Sequence, residues 1–371
     1  MKGRCSVALC VLGGIMTERL VELFLSLVSI DSPSGKEQLL CSYVLKLLQK
    51  QGISYRQDAY GNVLAFVNCT ENPPLTFACH LDTVPNAVGV KAIIQEGVIH
   101  SDGTTALGAD DKIAVTLALL LAENKDLYGP FGLLFTVGEE EGLLGAKNLD
   151  PSLFEQLHQV YVFDTGRPVG TAIIQAPCKL DIRLVFMGKA AHAGVTPELG
   201  ISAISIASKA IDSMKLLRID ETTTANIGSI HGGVSTNVVC DRVEVSMEIR
   251  SLEQERAFRQ LEEVRLCCSE ACRQIGGRFT LDSELSYEGY RIESSPALSR
   301  FKAACADLNL PMYAIPTGGG SDANILRAKG IDAVLLGCGY EKAHSSDERI
   351  AIKEIKNMVA LANQLLLLSK E

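Results

Sequence analysis

Hydrophobic residues recur along this chain in two rhythms, and the rhythm changes twice. Residues 17–30 carry apolar positions at helical spacing until Ser32-Pro33-Ser34-Gly35 breaks the pattern, and 36–51 predict a second helix. Continuous apolar runs then predict buried strands over 62–68, 75–79, 131–137 and 160–163, with an apolar helix over 111–123 headed by two aspartates. Strand alternating with helix predicts an α/β sheet covered on both faces. Near Pro177 the pattern turns to alternation: 181–187, 238–250 and 278–285 read as strands, with helices over 201–214 and 254–275. We read this as the β-α-β-β-α-β order of an inserted ferredoxin-like α+β unit, of which these runs supply three of the four strands. From about Tyr290 the first pattern returns, with a helix near 296–308, a strand over 333–336 and a terminal helix.

The expected organisation is a discontinuous domain, 16–177 with 290–371, and an insertion over 178–289. Residues 1–15 stand apart. Lys2, Arg4 and a short apolar stretch resemble a signal peptide, but no clear cleavage site follows, so an upstream start or non-native extension is the preferred reading.

A 371-residue chain that is 47% hydrophobic can build a large core or two domains. Its net charge of -9 and lack of a Lys/Arg cluster argue against a nucleic-acid face. No stretch is long and apolar enough to span a membrane once its charges are counted. The twelve cysteines include no C-x-x-C pair, which argues against a disulfide framework. Cys267, Cys268 and Cys272 share a predicted helix, where packing is a better reading than a metal site. We expect a cytoplasmic protein with neither nucleic-acid nor membrane partner.

The ionisable residues fall at telling places. His80 and Asp82 follow one predicted strand, Glu139 and Glu140 a second and Asp164 a third, while His344 follows a short loop after a fourth. Residues just beyond strand C-termini line the ligand crevice of an open α/β sheet. A mixed His/Asp/Glu set suits divalent zinc, cobalt or manganese. Any one of these acids is read as readily as a turn or cap residue, and Asp110 or Asp111 could cap the helix behind them. Jointly they favour a metal site, because packed carboxylates repel unless a cation neutralises them. His100, His158 and His231 lack such settings, although His231 is read as lying in a Gly-rich loop.

Several ordered motifs carry a resemblance. They are His80-Leu81-Asp82-Thr83-Val84-Pro85, Gly108-Ala109-Asp110-Asp111-Lys112, Glu139 to Lys147, Gly188-Lys189-Ala190-Ala191-His192-Ala193-Gly194, Gly319-Gly320-Ser321-Asp322-Ala323 and His344-Ser345. From about residue 17 onward the chain resembles the dinuclear zinc peptidases that include peptidase T, glutamate carboxypeptidase, aminoacylase and succinyl-diaminopimelate desuccinylase, and peptidase T-like proteins above all. The resemblance implies a catalytic α/β domain, with a central mixed sheet flanked by helices, and an inserted lid or dimerisation domain. It implies two zinc ions per subunit, replaceable by cobalt or manganese: one on His80, Asp110 and Asp164, the other on Asp110, Glu140 and His344. Asp82 would orient His80, Glu139 would be general base toward a water shared by the metals, and the Asp110–Asp111 peptide would be cis. Where the family usually has Asp before the Glu pair this chain has Gly138, and Gly142 and Gly145 fix the register.

His192 would donate to the oxyanion, and the family's dimers imply a homodimer through the insertion. Asn237, Arg250 and Asp322 are weaker candidates for substrate binding, with a turn, a salt bridge and a helix cap as their alternatives. The implied activity is that of a metallopeptidase on short peptides, an aminopeptidase of tripeptidase type. An N-acyl amino acid deacylase or carboxypeptidase would share the same metal site. A metal-binding regulatory protein without catalysis is the reading from another class; retention of Glu139 and of every ligand speaks against it.

Overall fold

The computed structural model describes residues 18–369, so the 1–15 extension lies outside the described residues. The chain forms two compact units. The first runs to Ile174 and takes up Ile292–Pro316 and the chain from Ser321 onward; the second is Gln175–Arg291 with Thr317–Gly320. The second unit is thus slightly wider than the 178–289 expected for the insertion, and it includes the Gly-rich 317–320 segment.

At the centre of the first unit four strands run parallel, in the order Phe131–Thr136, Thr76–His80, Gln159–Thr165, Asp332–Gly337. Antiparallel strands extend the sheet, Val63–Val67 and Ser54–Gln57 on one side and Thr171–Ala176 on the other. Val63–Val67, Thr76–His80 and Phe131–Thr136 are buried at every position, so both faces are covered, as unbroken apolar runs require. Helix Ala109–Glu123 packs on strands Thr76–His80 and Gln159–Thr165 and is buried from Ala109 to Ala122. An apolar sequence on every side of a helix makes such burial necessary. Because the four strands are parallel, their C-terminal ends share one edge of the sheet.

The second unit is a five-stranded antiparallel sheet ordered Leu217–Arg218, Thr223–Gly232, Arg242–Ser251, Cys178–Met187, Arg278–Tyr287. Leaving aside the two-residue edge strand, this is the ferredoxin-like order. Strand Cys178–Met187 turns Leu180, Ile182, Leu184 and Phe186 into a core with Ile206, Ala210, Leu261 and Val264 of helices Ala203–Ser213 and Gln254–Ile275, while Asp181 and Arg183 stay exposed.

Two expectations are corrected here. The strand expected over 238–250 begins only at Arg242, because Val239 and Cys240 bond instead to Ala191 and Ala203 of the neighbouring loops. His231 sits on strand Thr223–Gly232, opposite Glu244, rather than in a loop; polar residues and Gly228 hide that strand's pattern in the sequence. Cys268 is buried in this unit's core, with Cys267 and Cys272 packed against it, and the cysteines among the described residues are free.

Phe77 anchors an aromatic cluster beneath the shared sheet edge, its ring centroid 6.2 Å from Phe131, 6.1 Å from Tyr161 and 5.8 Å from Phe163. Phe77→Ala should therefore destabilise the protein by about 3–5 kcal/mol, read as a lower urea midpoint at unchanged m-value.

Candidate metal centre

His80 ends its strand, and its ring Nδ1 donates to the Asp82 carbonyl oxygen at 3.0 Å. A neutral His80 so held presents its Nε2 lone pair to acceptors only: Asp110 Oδ1 at 3.3 Å and Asp164 Oδ1 at 3.6 Å. The other Asp110 oxygen, Oδ2, lies 3.3 Å from His344 Nε2, and that nitrogen is 2.9 Å from Glu140 Oε1. Glu140 Oε1 is sealed from solvent and accepts no hydrogen bond. Ligand atoms of His80, Asp110 and Asp164, and those of Asp110, Glu140 and His344, form two groups within 4.8 Å that share Asp110. His80, Glu139 and Glu140 form a third such group.

The electrostatics demand positive charge between these atoms. Burial opposes a charged His80, yet the carboxylates of Asp110, Asp164 and Asp82 raise its pKa well above the usual histidine value. Asp110 and Glu140 push His344 up to about 10. Burial pushes Asp164 to about 7, against the pull of His80. Burial, reinforced by Asp164, raises Glu139 well above the carboxylate range. Imidazole nitrogens and carboxylate oxygens facing one another across two adjoining gaps are a donor set that fits two divalent cations.

Neither aspartate caps the helix behind the site. Asp110 (φ -79°, ψ 104°) and Asp111 (φ -118°, ψ 23°) lie outside helical geometry, and the peptide bond between them is cis. Asp110 faces the two histidines, while Asp111 Oδ2 accepts the His80 backbone N–H at 3.2 Å.

The loop carrying Glu139 and Glu140 is fixed through its main chain. Asn62 Oδ1 accepts from Val137 N–H at 3.3 Å, and Glu37 Oε1 from Gly138 at 3.1 Å. Asp82 Oδ1 accepts from Glu139 N–H at 3.0 Å, and Asp82 Oδ2 from Glu140 at 3.1 Å. Four consecutive N–H groups are thus held by three side chains. The expected partnership of Asp82 with His80 is made by its backbone oxygen; its carboxylate stands 3.4 Å from Nδ1 and serves mainly the Glu139–Glu140 loop. Burial would raise Asp82, but His80, Ser34 and the Glu139 N–H outweigh it and hold the carboxyl at about 2. Nothing in the sequence marks Glu37 or Asn62. Their partners lie 101 and 75 residues away, and no local pattern marks such contacts.

The weaker candidates part company. Asp322 is 3% exposed and accepts from the Thr136 hydroxyl at 2.5 Å, so it lies beneath the site, and Ser321 is the residue that caps helix Asp322–Ala328. In the second unit, Arg250 forms a two-pronged ion pair with Glu248, the alternative weighed for it. His192 and Asn237 lie on adjoining loops, joined through Ala193 N–H to the Asn237 carbonyl at 2.9 Å. His192 Nδ1 accepts from Gly194 N–H at 3.1 Å, which leaves Nε2–H free to donate.

Gly145 closes the loop that carries Glu139 and Glu140. A Cβ there would stand 2.3 Å from the Val137 carbonyl oxygen and 2.6 Å from Asn62 Oδ1. Gly145→Ala should cost about 1–3 kcal/mol of stability, read by chemical denaturation, as the loop shifts.

Comparison with known proteins places this geometry. The M20 family model for the peptidase dimerisation domain matches residues 179–276. The chain is 39% identical to the uncharacterized protein YqjE of Bacillus subtilis, over 91% of this chain and 95% of that one. It is similar to the solved structure of a tripeptidase from Staphylococcus aureus, with 36% identity, a TM-score of 0.88, and 96% and 99% of the two chains covered. The aminopeptidase PepT from Bacillus cereus is similar at 34% identity and a TM-score of 0.83, with the same coverage, 96% and 99%.

Proposed function

Because the chain belongs to the M20 peptidase family, as a peptidase T-like metallopeptidase of tripeptidase type, we propose that it removes the N-terminal residue from short peptides at a centre whose residues would hold two zinc ions. One observation carries this reading: the two Asp110 oxygens face His80 and His344 at 3.3 Å each. His80, Asp110 and Asp164 would hold one ion, and Asp110, Glu140 and His344 the other. When bound, such ions polarise a scissile carbonyl and bring the pKa of water toward neutrality.

The chain's own residues do the rest. Glu139 takes the proton from the attacking water and returns it to the leaving amine. Its carboxyl, raised by burial, is suited to hold that proton between the two transfers. Asp82 supports it by fixing the Glu139 and Glu140 backbone, which keeps base and ligand in register. His192, with Nε2–H free, has the protonation that an oxyanion donor requires. The match to a dimerisation domain supports a homodimer, and a cytoplasmic location remains our expectation. Among the described residues no helix is long and apolar enough to cross a membrane.

Glu139→Gln should lower kcat by at least about a hundredfold with both metals still bound, measured by tripeptide turnover beside elemental analysis. Unchanged turnover would remove Glu139 from the mechanism. Blocking the N-terminus of a tripeptide should abolish cleavage, whereas amidating its C-terminus should not; the reverse outcome would make the enzyme a carboxypeptidase.

A further inference from the structure

The metal-centre reading gives no part to the buried carboxylate of Glu348. Glu348 is 1% exposed. Its Oε2 accepts the Gly108 N–H at 2.8 Å and its Oε1 the Asp110 N–H at 3.0 Å. Nothing in the sequence marks it, because these partners lie 240 and 238 residues away.

Glu348 stands four residues after His344, in a loop that is tied to itself. Its own N–H reaches the Ser345 carbonyl at 3.1 Å, and the Ser345 hydroxyl reaches the Lys342 carbonyl at 2.7 Å. Asn86 Nδ2 adds a bond to the His344 carbonyl at 3.1 Å. His344 and Glu348 therefore move together, one meeting the Asp110 side chain and the other the Asp110 main chain. On the receiving side the turn has little freedom. Gly108 has φ +71°, a conformation L side chains rarely adopt, and a Cβ there would stand 3.3 Å from Thr83 Cγ2. Its N–H groups are aimed at a carboxylate whose burial is tolerable only while they are bonded to it.

We propose that Glu348 is a positioning residue for the ion held by Asp110, Glu140 and His344, because it locks the loop that brings His344 to the turn that brings Asp110. The inference rests on the metal-centre reading and adds an asymmetry to it. His344 belongs to one ion only, so loosening this lock weakens that ion's site more than the one at His80 and Asp164. A residue that merely held a buried turn would lower the melting temperature and favour neither ion.

The test is titration of the metal-stripped full chain with Co2+, followed by visible absorbance and total metal content. In Glu348→Gln an amide NH2 opposes one of the two N–H groups. One of the two affinities should fall about ten- to a hundredfold, the usual size of the effect when a group supporting a ligand is lost, and the other should stay within about threefold. In a His344→Ala background, which keeps one ion, Glu348→Gln should leave the remaining affinity unchanged. If Glu348→Gln does not fold, Glu348→Asp, one methylene too short to span both N–H groups, is read in the same way. Equal losses at both sites, or no loss at either, overturn the inference while the metal centre stands. A wild-type chain that takes up fewer than two ions overturns the metal-centre reading and this inference with it.

Discussion

Asp110 is where the catalytic unit's demands converge. One of its oxygens faces His80, delivered by a central strand, and the other faces His344, delivered by a loop beyond another strand. Burial alone would raise such a carboxyl, yet the two imidazoles hold it well below the ordinary carboxylate value. The surrounding acids are pushed the other way by burial and by one another's charge, Asp164 to about 7 and Asp111 well above its usual range. Divalent cations held as proposed would relieve the tension at Asp110, Asp164 and the two imidazoles together, since they would satisfy carboxylate oxygens and lone pairs that face acceptors.

That geometry depends on main chain as much as on side chains. Four parallel strands deliver their C-terminal ends to one edge, but the loops beyond them would be free to wander without further anchors. The anchors are buried acceptors on backbone N–H groups. Asn62, Glu37 and Asp82 take the four from Val137 to Glu140, and Glu348 takes those of Gly108 and Asp110. The bonds to the carboxylates of Glu37, Asp82 and Glu348 are charge-assisted, which suits a site whose proposed base and metal ligands would have to hold position within fractions of an ångström.

What could be read from the sequence follows from the range of the interactions involved. Apolar runs ending in His80, Glu139 and Asp164 reveal strands and what lies beyond them, because strand burial and the strand-end position are local properties. The helix starting near Asp111 and the alternation of 181–187 are legible for the same reason. Strand Thr223–Gly232 was not, since an exposed, Gly-containing strand near the sheet edge carries no apolar period. Glu37, Asn62 and Glu348 act on backbone groups 75 to 240 residues away, and such contacts leave no spacing to detect. The resemblance marks Asp82 as a supporting residue of His80, but its carboxylate serves the Glu139–Glu140 loop more closely. Asp322, a weaker substrate-binding candidate with a helix cap as its alternative, is bonded to Thr136 instead.

The most direct check on the shared role of Asp110 is a crystal of the zinc-loaded protein, measured on either side of the zinc absorption edge. The account predicts two anomalous peaks flanking the Asp110 carboxylate, one among His80, Asp110 and Asp164 and the other among Asp110, Glu140 and His344. A single peak at the site, or peaks that leave Asp110 on one side of both ions, would contradict it.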